Sequence, residues 1–241
     1  MELSPIAVAL SYPFPPTILQ RRIEGHKDNV MEHIIRGRVS MRDIRVMLKE
    51  AGRELNTFKH ILDFGCGCGK VLRWLPRVAP YANFYGTDID EEMIDWCKNH
   101  IPIAEYATNK PSPPLSYADN TFNLILAISV FPQMDSDEQR KWLAEFKRIA
   151  KPDALILLST RGEPSSKNLS QYERKLLKQD GILTKMPSVY GAPSCRKTTV
   201  QTPSYTTKEC ERLFKVVHTK ERGMLYTEDV ILLENTLQDD T

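Results

Sequence analysis

The segment HILDFGCGCGKVLRWL, His60 to Leu75, sets Gly65, Gly67 and Gly69 at alternate positions directly behind an apolar run, with Cys66 and Cys68 in the gaps. Glycines in a strand-to-helix turn let the backbone take positive φ and approach a ligand, because a Cβ would hinder both. An acid, Asp63, lies just before the first glycine, and a second, Asp88, ends the next strand. A carboxylate at that second place can accept both hydroxyls of a ribose. The dinucleotide fingerprint G-x-G-x-x-G requires a third glycine where this chain has Lys70. Two acids, with no Ser, Thr or Arg placed to clamp a phosphate, point to a ligand that contains a ribose and carries positive charge.

Other residue types that could do chemistry have plainer readings. Cys66 and Cys68 are too few for a tetrahedral metal site, and no Cys or His partner has suitable spacing, so they read as small residues filling a tight turn and no metal is expected. Asp119 and Asn120 lie before the fourth strand and read as a turn. Cys195, beside Arg196 and Lys197, reads as a loop cysteine, and Tyr190, Tyr205 and Phe131 as either an aromatic pocket or packing. His33, Glu32 and His218 are the candidate bases, whereas His60 and His100 sit at element ends.

The elements that position these residues follow from periodicity. The first 20 or so residues are proline-rich and read as an extended arm. SMRDIRVMLKEAG repeats apolar residues at helical spacing, with Ser40 and Gly52 as its expected caps. From HILDF onward strand and helix alternate: KVLRWL is a short helix, ANFYGT a strand, DEEMIDWCKNH a helix and PIAEYA a third strand. FNLILAISVF is the most apolar strand, a capping box from Ser136 to Gln139 opens the helix SDEQRKWLAEFKRIA, and ALILLST follows as a buried strand. A second capping box, Thr206 to Glu209, opens the last helix, and VVHTKERG and DVILLE form a closing antiparallel pair. Such alternation implies βαβ units. The expected fold is α/β: a Rossmann-like, doubly wound, mostly parallel seven-stranded sheet with an antiparallel last strand, in three αβα layers.

Composition narrows the partners. At 241 residues, 41% of them hydrophobic, the chain can bury one sizeable core with additions. A net charge of +2 does not call for nucleic acid, because the arginines between Arg21 and Arg45 are interleaved with Glu24, Asp28, Glu32 and Asp43. The opening MELSPIAVAL carries an acid and Pro5 and no basic n-region, and no apolar run reaches membrane length, so a cytoplasmic protein with free thiols and no membrane partner is expected.

S-adenosylmethionine meets the description of the ligand better than NAD does. DFGCGCG, YGTDIDEEMIDWC, PPLSYADNTFNLILAISVF and LAEFKRIAKPDALILLST, in this order and spacing, resemble the successive motifs of class I S-adenosylmethionine-dependent methyltransferases. The nearest flavour is the small bacterial-type group of the methyltransferase 11 and 12 kind. The resemblance implies that Gly65, Cys66, Gly67 and Gly69 hold the methionine portion with Asp63 toward its amino group, that Asp88 takes the ribose, and that Ile89 and Asn109 flank the adenine. It places Ser129 and Val130 beside the sulfonium and the acceptor. Many relatives carry a His after that strand; here Gln133 occupies the segment, which leaves His33, Ser129 and Gln133 as catalytic candidates.

Acceptor choice is expected from the unshared parts: residues 1–58 as an arm and helical lid, and a 161–205 insertion within a methyltransferase domain of residues 59–241. The resemblance implies methyl transfer to a small-molecule or sugar acceptor, at oxygen, in a biosynthetic setting, with S-adenosylhomocysteine as product. The alternatives are an RNA or protein methyltransferase and a non-catalytic module that binds S-adenosylmethionine. Oligomeric state has no signature in the sequence.

Overall fold

The computed structural model describes residues 11–24, 30–162, 169–186 and 197–236. Tyr190 and Cys195 lie outside them. The chain divides into two compact units, Met1–Pro111 and Ser112–Thr241.

In the first unit, helix α1 (Thr17–Glu24) and helix α2 (Val30–Glu50) precede strand β1 (His60–Phe64). A 3-10 turn and the short α3 (Leu75–Val78) lead to β2 (Asn83–Asp88), then α4 (Glu91–His100) and β3 (Glu105–Thr108). The three strands are parallel, with Asp63 opposite Gly86 and Asp88 opposite Thr108. Leu19 of α1 packs into a cluster with Cys68, Met93, Trp96, Cys97 and Ile101, so part of the expected extended arm is a helix with a buried face.

The second unit carries β4 (Phe122–Ala127), α5 (Ser136–Ile149) and β5 (Ala150–Thr160), then α6 (Gln171–Asp180), the antiparallel pair β6 (Ile182–Lys185) and β7 (Thr198–Gln201), α7 (Pro203–Cys210), β8 (Lys215–Met224) and β9 (Glu228–Glu234). β5 is parallel to β4, and β9 runs antiparallel between β5 and β8. The strand order β3-β2-β1-β4-β5-β9-β8 is the Rossmann-like, mostly parallel seven-stranded sheet expected from the sequence, flanked by helices. Leu155 to Leu158 and Ile231 to Leu233 are buried, as strands covered on both faces require. Among the described residues no helix is long and apolar enough to cross a membrane.

Three helix starts differ from expectation. α2 begins well before Ser40, at Val30, because the inward stripe of His33, Gly37, Ser40, Met41, Ile44, Met47 and Leu48 continues upstream at helical spacing. Ser40 is therefore buried in mid-helix. Asp135, not Ser136, caps α5: its carboxylate accepts the Asp137 and Glu138 amides while Glu138 accepts the Asp135 N–H. A carboxylate suits the positive end of a helix better than a hydroxyl does. Thr202 caps α7 with Pro203 in its first turn, which leaves Thr206 inside the helix.

Gly37 fixes how closely α2 approaches the segment after the glycine turn. A Cβ there would lie 2.5 Å from the Lys70 carbonyl oxygen and 2.8 Å from Trp74 Nε1. Gly37→Ala is expected to destabilise the protein: the gain in helix preference is up to ~1 kcal/mol, whereas overpacking against backbone costs ~1–3 kcal/mol. The urea unfolding midpoint checks this, and a midpoint raised by the variant would refute it.

Candidate functional site

The local chemistry of the first unit converges on the turn after β1. Gly65, Gly67 and Gly69 all have positive φ, at 76°, 52° and 68°. The Gly65 and Cys66 amides donate to the Thr87 carbonyl at 2.8 and 3.0 Å, folding the turn back onto the end of β2. The Asp88 carboxylate then completes it, accepting the Gly67 N–H at 2.8 Å through one oxygen and the Asp90 N–H at 3.0 Å through the other. Glycine, acid and strand end are thereby held as one body.

Cys66 and Cys68 point inward and are buried. Burial raises both thiols, and Cys97 beside them is pushed up to about 12. Such thiols are protonated and poor metal ligands. No group of metal-binding side chains occurs among the described residues.

Two buried acceptors of the first unit have no hydrogen-bond partner among the described residues: Asp63 Oδ2 and Asn109 Oδ1. An orphaned acceptor is costly unless a donor arrives. Burial, aided by the charge of Asp88 and opposed by Lys70, pushes the Asp63 carboxyl up to about 7. Asn109 is tied to the end of β2, its amide donating to the Asp88 carbonyl at 3.0 Å. Ile89, between Asp88 and the Asp90 cap of α4, is 60% exposed and offers a bare apolar surface.

Helix α1 lies against this turn. Ile23 Cδ1 comes within 3.1 Å of where a Gly67 Cβ would be, and Arg22 bridges to Asp90 at 3.0 Å and Glu92 at 2.6 Å. Farther back, the buried Arg73 donates to the Pro13 carbonyl at 2.9 Å and stacks over Phe14. His33 is buried on the inward face of α2, one turn from Gly37.

The second unit places Ser129, Val130 and Gln133 together just beyond β4. Ser129 takes a φ of 60°. The left-handed region costs a non-glycine residue roughly 1–2 kcal/mol. Four hydrogen bonds hold its neighbourhood. Its N–H donates to Ser159 Oγ at 2.7 Å, its hydroxyl to Glu228 Oε2 at 2.9 Å, the Ser159 hydroxyl to the same oxygen at 2.6 Å, and Gln133 Nε2 to the Ser129 carbonyl at 2.6 Å. Val130 is half-buried, and Phe131 is buried against Phe146. The sequence marks neither Ser159 nor Glu228. Their one signal is a polar residue bordering an apolar strand.

The insertion abuts this segment. Gln139 bridges the Phe131 carbonyl to Gln201, Thr199 donates to the Met134 carbonyl at 2.7 Å, and Lys197 pairs with Asp135 and Glu138. Asp119 accepts from Arg148 and Asn120 has a φ of 53°, as befits a turn. His218 sits on β8, half-buried.

Residues 61–153 match the model of a methyltransferase domain family. The chain is 26% identical over 134 residues to a malonyl-[acyl-carrier protein] O-methyltransferase of Halalkalibacterium halodurans, a match covering 51% of this chain and 46% of that protein. The chain thus aligns with less than half the length of this curated relative. A solved SAM-dependent methyltransferase of Aquifex aeolicus superposes with a TM-score of 0.58 at 16% identity, over 93% of this chain and 100% of that one. The 1,6-didemethyltoxoflavin-N1-methyltransferase of Burkholderia thailandensis, solved with bound 1,6-didemethyltoxoflavin and S-adenosylhomocysteine, superposes with a TM-score of 0.61 at 12% identity, over 93% and 92% of the two chains. At such identities these two structures speak for the fold.

The raised Asp63 carboxyl makes a prediction about pH. Unfolded, it loses its proton near pH 4; folded, it keeps it until about pH 7, so its stabilising contribution is full in acid and is lost as pH rises through that window. A displacement of that size corresponds to at most ~4 kcal/mol. In urea unfolding, Asp63→Asn should gain a few kcal/mol relative to wild type between about pH 4 and about pH 7.5. Parallel curves for the two proteins would contradict this.

Proposed function

We propose that this chain, a member of the class I S-adenosylmethionine-dependent methyltransferase family, moves the methyl group of S-adenosylmethionine to an oxygen of a small-molecule or sugar acceptor and releases S-adenosylhomocysteine. The observation that carries the reading is the Asp88 carboxylate locked to the glycine turn beside two orphaned acceptors. A carboxylate has about four lone-pair positions, so one that accepts two amides can also accept ribose hydroxyls. Asp63 is suited to the ammonium of the methionine portion, and Gly65, Cys66, Gly67 and Gly69 give that portion close backbone approach. Ile89 offers its exposed side chain to the adenine face, and Asn109 Oδ1 accepts from an exocyclic amine.

The sulfonium, when bound, supplies an already activated methyl group. What remains for the protein is alignment and the handling of one proton. In this reading α1 is a lid over the donor, and Ser129, Val130 and Gln133 face the acceptor with the 161–205 insertion as its wall. His33, enclosed in a helix interface, serves packing better than proton transfer. A nucleic-acid acceptor draws little support from the N-terminal arginines: three of the six between Arg21 and Arg45, namely Arg22, Arg36 and Arg42, are paired with neighbouring acids.

Calorimetric titration of wild type and Asp88→Ala with S-adenosylmethionine, S-adenosylhomocysteine and NAD tests the assignment. The two sulfur ligands should bind wild type and weaken on the order of 10- to 100-fold in the variant, the effect of losing charge-assisted hydrogen bonds. Tight NAD binding, or indifference to Asp88, would overturn it.

A further inference from the structure

The group of residues around Glu228 has a chemistry of its own. Glu228 is 6% exposed, yet its carboxylate meets only two serine hydroxyls and no Lys or Arg among the described residues. A buried carboxylate without a counter-ion is expensive to keep. If it served only to pin the Ser129 turn, a neutral amide could accept the same two hydroxyl protons at lower cost.

The direction of the hydrogen bonds is informative. Ser159 donates its hydroxyl to Glu228 and accepts the Ser129 N–H, so its one proton is committed to the carboxylate. Ser129 gives its only hydroxyl proton to Glu228, so toward a ligand its Oγ can only accept. Ser129 is half-exposed and follows the carboxyl end of β4, the end of an α/β sheet at which ligands bind. Whatever meets Ser129 Oγ must therefore bring a proton. An anionic acceptor brings none and meets the Glu228 charge.

We infer that Glu228 receives, through Ser129, the proton lost by the methyl acceptor, and that the acceptor is a neutral hydroxyl compound, not a carboxylate. This rests on the methyl-transfer reading above. In the step, a lone pair of the acceptor oxygen forms the new carbon–oxygen bond, and the carbon–sulfur pair returns to sulfur, cancelling its charge. The acceptor proton passes to Ser129 Oγ, whose own proton passes to Glu228 Oε2 and leaves a neutral acid. Ser129 is the group that touches the acceptor; Glu228 acts through it as a positioning and proton-receiving residue.

The test uses wild type, Glu228→Gln and Ser129→Ala, with S-adenosylmethionine as donor and phenol, 4-nitrophenol and benzoate as acceptor probes. Wild type should methylate the phenols and not benzoate. Glu228→Gln should lower kcat for phenol on the order of 100-fold, the range of positioned proton transfer, with KM little changed. The loss should shrink for 4-nitrophenol, which ionises without help, and a purely structural role gives no such dependence on acceptor acidity. Ser129→Ala, which leaves the buried carboxylate in place, should show the same pattern. A second readout is binding in the S-adenosylhomocysteine complex: wild type takes phenol and refuses benzoate, and Glu228→Gln admits benzoate. Methylation of benzoate by wild type, no methylation of either phenol, or a Glu228→Gln kcat for phenol within twofold of wild type overturns the inference. Failure to bind S-adenosylhomocysteine at all would instead strike the proposed function.

Discussion

The carboxylate of Asp88 is the fixed point of the first unit of this protein. It closes the glycine turn by taking the Gly67 amide and opens the next helix by taking the Asp90 amide, so one side chain joins the end of β2 to both flanking loops. Three left-handed glycines make the turn possible, and the two bonds make it a single conformation. Around that body the first unit is layered inward and outward: Cys66 and Cys68 fill the space beneath, Leu19 and Ile23 of α1 cover it, and Gly37 lets α2 approach the segment that follows.

The same arrangement explains why the turn tolerates cysteines without being a thiol site. Both side chains are buried, Cys68 in the cluster shared with Met93, Trp96 and Cys97 and Cys66 against Gly86 of β2, and burial penalises the thiolate form of each. A larger residue would push against α4. A charged one would be stranded. Packing alone therefore selects small, neutral side chains between the glycines, which is how the spacing reads in the sequence.

Legibility follows range. The strands are readable because a strand covered on both faces is an uninterrupted apolar run, as in ALILL, and the glycine turn with its acids is readable because these residues lie close in sequence around single strand ends. Helix starts are not. Ser40 has the composition of a cap but lies within a stripe that begins at His33, and Ser136 yields to Asp135 because both can cap and charge decides. The helix in the arm is hidden because its partners, Met93 and Trp96, are far along the chain.

The group around Ser129, proposed to meet the acceptor, is illegible for a related reason. Ser129 meets Ser159 and Glu228 across separations of 30 and 99 residues, so no window of sequence contains the group. Each member alone is ordinary: a serine after a strand, a serine at the end of another, an acid at the start of a third. Only the register of β9 on β5, which sets Val230 opposite Ser159, carries Glu228 to the place where β4 and β5 end. In the proposed reading the donor is met by a short motif, and the acceptor by what the strand ends bring together. In that reading the acceptor side is the part that tertiary register, and not local pattern, must build.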